Sequence, residues 1–406
     1  MRIAFCCLGD FEAPPGPRQM LLLARALEAN GHKCLILVEN NPVTIRLVAG
    51  GAGGVEIGRY GFVGPRLSRS TRTRVAAFRP DIVHCYEPRT APLAAALELS
   101  RAEAVPLCVR FADDDEMLRR SAGGPGIRGA ASRRMLLAAG TVFPSRWPYQ
   151  HPIHHRRMLR RARAYDAITP ALAAEVSRRY GVACEGILPA VPPGAAAPPR
   201  VEGLRSKLGL TPSDRLVVYT GSVFRAHYED FKLLLRAFAI VADRDPEACL
   251  IHTGRLADRY RKPELLALTG EGAARTRFLG FLDDPADLQA LMTEAAVLVQ
   301  PGAPTEFNRL RLPAKVHDYL MVGRPVVTFA VGFGELLSDR REAVLTRTGQ
   351  ARELAEAIEW VLDDEQRADS LGQAGRRRAF QLFAPDEIAR QTVAYYDRAR
   401  EMQAPR

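Results

Sequence analysis

Glu306–Val327 reads EFNRLRLPAKVHDYLMVGRPVV: a polar loop, a helix and an apolar strand in succession. Pro313 suits the first helical position, and Gly323 suits the stop before the strand. A helix N-terminus carries unpaired backbone N–H groups and the positive end of the helix dipole, which together attract anions. Asn308 and Arg311 lie just before this one, and Lys315 lies in its first turn. Lys315 and Asp318 are three residues apart and so share a face. A cation placed for phosphate and a carboxylate placed for a sugar diol suit a nucleotide held on this helix.

Outward from this stretch, strand and helix alternate twice over. The first half predicts strands at 2–8, 33–38, 55–59, 81–85, 105–111, 166–168 and 184–188, with helices at 18–30, 90–101 and 170–180. Five prolines interrupt Leu188–Arg200 (LPAVPPGAAAPPR), which reads as a linker. The rhythm then restarts with strands at 216–220, 248–252, 277–279, 297–300 and 326–329, interleaved with helices at 230–243, 285–293 and 314–322. Helices at 351–362, 366–383 and 385–402 close the chain. This alternation predicts an α/β fold of two doubly wound parallel-sheet domains. The expected organisation is an N-terminal domain at 1–190, a linker at 191–200 and a C-terminal domain at 201–385. A last helix at 386–406 is expected to pack back toward the N-terminal domain. Ligands are expected beyond the carboxyl ends of the strands, where the two domains face each other.

Composition excludes several classes. The 406 residues are 47% hydrophobic and 25% charged, an ordinary globular balance rather than a disordered one. No apolar run approaches the roughly 18–20 residues of a spanning helix. Asp10 and Glu12 follow the first strand at once, so no signal-peptide core forms. The seven cysteines have no Cys-x-x-Cys spacing and read as buried thiols, so a cytoplasmic location is expected. The net charge of +11 equals the eleven arginines between residues 117 and 163, a segment with no lysine or acidic residue. This block suits an anionic membrane surface on the inner face or a phosphorylated acceptor. It also suits a solvated helical face. No nucleic-acid partner is expected.

The pattern P-x-K-x-x-D-Y-x-x-x-G-x-P-V-V, carried by Pro313, Lys315, Asp318, Tyr319, Gly323 and Pro325–Val327, resembles the donor-site helix of family 4 glycosyltransferases. RPDIVHCYEPR at Arg79–Arg89, YDAITPALAAEV at Tyr165–Val176 and RFLGFLDDPADLQALM at Arg277–Met292 resemble other segments of that family, in the same order. The resemblance implies a GT-B fold: two Rossmann-like domains that move a sugar from a nucleoside-diphosphate sugar to a glycan, lipid-linked or small-molecule acceptor. It implies retention of anomeric configuration and no metal cofactor. Asp318 takes the place of the second Glu in the family's Glu-x7-Glu pattern, which holds the ribose hydroxyls. The first would fall on Leu310, leaving Glu306 as the nearest acidic candidate for the donor sugar. Where the family has Gly-Arg and then Lys-Gly after the first strand of the second domain, this chain has Gly221-Ser222 and Glu229-Asp230.

The implied donor site therefore comprises Gly221, Arg225, Asn308, Arg311, Lys315 and Asp318, with Phe281 and Leu282 near the base. His227 and Lys232 are further cations of the same loop. Neutralising a leaving diphosphate with such groups can replace a metal. In the first domain, VPLCVRFADDDE (Val105–Glu116) delivers acids at a strand's carboxyl end. Asp114 is a candidate base and Asp113 a candidate acceptor contact, with Arg18 at the first helix as another. An acidic loop that balances the arginine block is the plainer alternative. His84, inside an apolar run, reads as a structural histidine. Two other functions remain open: a nucleotide-sugar epimerase or hydrolase on the same fold, and an inactive scaffold that binds anions or membranes. Gly124–Gly129 fits G-x-G-x-x-G but lacks a preceding strand, and is read as a loop.

Overall fold

A computed structural model describes residues 1–8, 15–39, 54–114, 144, 151–191 and 204–402. The chain divides into two compact units, Met1–Pro192 with Phe383–Arg406, and Pro193–Leu382. The linker expected at 191–200 and most of the arginine block at 117–163 lie outside the described residues.

The first unit is built on β1 (Arg2–Cys7), β2 (Lys33–Glu39), β3 (Glu56–Tyr60), a two-strand hairpin of β4 (Phe62–Val63) and β5 (Arg66–Leu67), β6 (Ile82–Tyr86), β7 (Leu107–Phe111), β8 (Ala162–Ala167) and β9 (Cys184–Gly186). All but the hairpin form one parallel sheet in the order β3-β2-β1-β6-β7-β8-β9. Its central strands are buried along nearly their whole length and mostly apolar because helices cover both faces, as parallel sheets require. The helices are α1 (Pro15–Ala29), α2 (Arg69–Phe78), α3 (Thr90–Ala102), α4 (Pro152–Arg161) and α5 (Pro170–Tyr180).

The second unit repeats the plan with α6 (Leu204–Lys207), β10 (Arg215–Thr220), α7 (Tyr228–Arg244), β11 (Ala248–Thr253), α8 (Lys262–Ala267), β12 (Thr276–Gly280), α9 (Pro285–Glu294), β13 (Val297–Val299), α10 (Glu306–Leu310), α11 (Ala314–Val322), β14 (Val326–Phe329), β15 (Val344–Thr346), α12 (Ala351–Leu362) and α13 (Glu365–Phe383). Its six strands run parallel in the order β12-β11-β10-β13-β14-β15. In both sheets the order reverses beside the first strand, at β1/β6 and at β10/β13. Such switch points open a crevice at the carboxyl ends of the strands.

The last helix, α14 (Pro385–Glu401), belongs to the first unit and packs on α1 and β8. Ile388, Thr392, Tyr395, Tyr396 and Ala399 recur at helical spacing and are buried. The Tyr396 hydroxyl lies 2.7 Å from Nδ1 of His84 in the middle of β6. The other ring nitrogen of His84 meets Asp166 at 3.2 Å, and Asp166 in turn pairs with Arg110. His84 is thus fully buried with both ring nitrogens bonded.

Several local readings differ from expectation: helices α4, α8 and α10 and strand β15 were not anticipated, and the stretch from Glu306 read as a loop. Pro313 is the N-cap of α11, one residue ahead of the first helical position. Helix α2 was not anticipated either: its buried face of Thr71, Val75 and Phe78 has helical spacing but only two large apolar residues, set among arginines.

Candidate functional site

The switch point of the second unit gathers most of the residues singled out around Glu306–Val327. Strand β10 ends in Tyr219 and Thr220, and Gly221 turns the chain with φ +102°. Helix α11 brings Lys315 to that turn. Its ammonium donates to the Tyr219 hydroxyl at 3.0 Å and lies 4.3 Å above the ring centre. A Cβ on Gly221 would meet Lys315 Cε at 2.8 Å and Nζ at 3.0 Å, so glycine gives both the backbone angle and the space. Gly254, after β11, packs its backbone on Gly221, and a Cβ there would sit 2.4 Å from the Gly221 carbonyl carbon. Burial and then the charge of Arg311, opposed by Asp230, lower the Lys315 pKa to about 7.

Asp230 is the residue that organises the loop before α11. It sits on the buried stripe of α7 with Leu234 and Phe238. Its carboxylate accepts from Arg311 Nη2 at 3.1 Å, from Asn308 Nδ2 at 3.2 Å and from the Ala303 N–H at 3.3 Å. Arg311 Nε also donates to Asn308 Oδ1 at 2.7 Å. Arg311 and Asn308 are therefore buried, with these polar atoms turned toward Asp230. Burial raises the Asp230 pKa, offset by Arg311 and Asn308.

Two histidines line the same region. Burial, then Arg311 and Lys315, lower the His227 pKa to about 3, so it is a neutral imidazole rather than the cation its place in the loop suggested. His252 Nε2 donates to the Gly221 carbonyl at 3.1 Å, and burial lowers its pKa to about 4. Tyr319 is structural: its hydroxyl accepts from the Thr220 N–H at 2.7 Å and ties α11 to the end of β10.

The remaining residues of this unit stay open to solvent. The Asp318 side chain is 44% exposed and touches His317 Nδ1 at 3.0 Å. Glu306 is exposed in the first turn of α10. Arg225 is exposed, and its guanidinium has no hydrogen bond or ion pair among the described residues. Lys232 is taken up by Glu229 at 2.8 Å. Phe281 is 59% exposed beneath the Arg255 guanidinium, and Leu282 follows it half-buried.

In the first unit, Asp113 and Asp114 line a depression with Arg179 and Tyr180 of α5. Arg179 grips Asp114 in a fork, Nη1–Oδ1 at 3.1 Å and Nη2–Oδ2 at 2.7 Å, and also meets Glu175 at 2.9 Å. Asp114 thus lies in an ion-pair cluster, its side chain 6% exposed. Arg18 lies in the first turns of α1. Among the described residues, no group of three or more His, Cys, Asp or Glu converges as a metal site.

Residues 16–194 match the family described as Glycosyl transferase 4-like domain, and residues 214–364 match Glycosyl transferases group 1. The chain belongs to the GT-B glycosyltransferases. Over 98% of its length the fold matches 99% of HepE from Anabaena, solved in complex with UDP and glucose, with a TM-score of 0.64 and 17% identity. In sequence the transferase is 27% identical over 262 residues to the 2-deoxystreptamine glucosyltransferase of Streptomyces kanamyceticus, covering 61% of this chain and 65% of that one. It is 26% identical over 209 residues to the D-inositol 3-phosphate glycosyltransferase of Corynebacterium aurimucosum, covering 50% and 48%. The matched region is less than two thirds of either relative's length. No described helix of the transferase is long and apolar enough to cross a membrane.

Proposed function

We propose that this chain transfers a sugar from a nucleoside-diphosphate sugar to an acceptor hydroxyl, with retention of configuration and without a metal. The observation that carries this reading is the Lys315 ammonium held against Gly221 and Tyr219 at the switch point of the second sheet. There the free N–H groups at the start of α11 and a fixed cation supply what a diphosphate requires. The developing charge on the leaving diphosphate is met by Lys315 and, from solvent, by the exposed Arg225. Asn308 and Arg311, both bonded to Asp230, hold the loop that leads into α11. Asp318 accepts from the ribose hydroxyls, Phe281 and Leu282 flank the base, and Glu306 takes the donor sugar.

The HepE complex with UDP makes UDP the first nucleotide to test. The two curated relatives are named for 2-deoxystreptamine and D-inositol 3-phosphate, both hydroxylated six-membered carbocycles. We therefore place a small cyclic polyol ahead of a glycan or lipid-linked acceptor. On α4, Arg156, Arg157, Arg160 and Arg161 are exposed while His154 and Met158 are buried. That basic face suits peripheral contact with an anionic membrane on the cytoplasmic side.

Thermal denaturation with UDP, GDP, ADP, dTDP and CMP in the presence of a chelator tests the donor reading. A nucleotide at about a hundred times its dissociation constant adds about 2.7 kcal/mol. One nucleoside diphosphate should raise the Tm, and less so in Asp318→Ala. No shift with any of them sinks the reading.

A further inference from the structure

Among the described residues, four other than glycine have positive φ: Arg79, Glu87, Ala104 and Arg340. Arg79 is the left-handed cap that ends α2, and Ala104 and Arg340 sit in turns. Glu87 is different. It follows β6 directly, at φ +71°, where the sheet order of the first unit reverses between β1 and β6. A glutamate there is strained by about 1–3 kcal/mol, and such strain gathers at sites that use it.

The backbone of Glu87 is locked in place. Its N–H donates to the Arg110 carbonyl at 3.0 Å, and its carbonyl accepts from the Arg89 N–H at 2.8 Å and the Cys85 thiol at 3.4 Å. The carboxylate lies 3.6 Å from Arg89 Nε and its side chain is 13% exposed, so it is screened yet reachable. Glu87 stands at the carboxyl end of β6, on the edge of the sheet where the strand order reverses and a crevice opens.

We infer that Glu87 is an acceptor-binding residue, its carboxylate accepting hydrogen bonds from the hydroxyls of a cyclic polyol at the β1/β6 switch point. The inference rests on the transfer reading above. The strained backbone sits at the carboxyl ends of the strands, where the switch point opens, and its cost in stability marks the position as one that is used.

The test pairs stability with binding in Glu87→Ala, Glu87→Gly and Glu87→Gln, each with UDP present. Saturation-transfer NMR reads binding of myo-inositol and of 2-deoxystreptamine. The wild type should give signals with at least one polyol, lost in the Ala and Gly variants and partly kept in Gln. Glycine relieves the strain that alanine keeps, so Glu87→Gly should melt about 2–4 °C above Glu87→Ala, while binding polyol no better. A merely structural Glu87 would make binding follow stability. No signal with the wild type, or full signal in Glu87→Ala, overturns the inference. Failure of the donor reading would show separately, as no UDP shift in any of the proteins.

Discussion

The Lys315 ammonium and the Tyr219 hydroxyl are 3.0 Å apart, with the amine also over the ring, so a buried phenol helps hold a lysine whose pKa is lowered to about 7. The unfolded chain holds that proton up to the ordinary lysine value, far above the folded one. The penalty on folding is therefore full below about pH 7 and fades as pH rises toward the unfolded value. Lys315→Met should raise the Tm at pH 6, and the gain should shrink by pH 9. A lower Tm at pH 6 would contradict this.

A diphosphate beside Lys315 favours the protonated amine and raises its pKa. UDP affinity should be greatest below about pH 7 and fall above it, with proton uptake on binding at pH 8. Calorimetry in two buffers of different ionisation enthalpy measures that uptake. Equal uptake in Lys315→Met would assign it to another group.

Asp230 and Arg311 form a buried pair, their side chains 11% and 9% exposed. Removing one partner strands the other charge, at about 3–5 kcal/mol. Asp230→Ala should cost about that much, and adding Arg311→Met should recover much of it. Additive losses in urea denaturation would show that the two side chains act separately.

Gly221 and Gly254 touch, yet their substitutions should differ. In Gly221→Ala the new methyl meets the movable end of Lys315, so the protein should fold, at a cost of about 1–3 kcal/mol for the strained angle, and bind UDP weakly. In Gly254→Ala the methyl meets backbone at 2.4 Å and 2.6 Å, which cannot yield locally. Gly254→Ala should have clearly the lower Tm. The reverse order would mean that the two turns do not pack as described.

Tyr396→Phe should leave His84 Nδ1 unbonded in the core, at about 1–3 kcal/mol. UDP affinity should not change, since the pair lies in the first unit. A loss of affinity with an unchanged Tm would give Tyr396 another role.

The two-sheet plan was legible because parallel strands covered on both faces are mostly apolar, and β1, β6, β10 and β11 read that way despite His84 and His252. Helix α11 was legible from its end signals, and Gly323 ends it at φ +81°. Lys315 and Gly221 were each singled out, but their contact needs the register of α11 against β10. Asp230 was noted as a departure from the family pattern, and its direction was missed. Its spacing of four and eight residues from Leu234 and Phe238 puts it on the buried face, which was the available signal. Glu87 carried no signal, since a backbone angle set by the meeting of β1, β6 and β7 leaves no trace in residue type.

The most direct test of the donor site is isothermal titration of UDP into the wild type, Lys315→Met and Asp318→Ala at pH 6.5 without metal. The account predicts one saturable site in the wild type and at least about tenfold weaker binding in each variant, equivalent to 1.4 kcal/mol or more. Full wild-type affinity in both variants would contradict it.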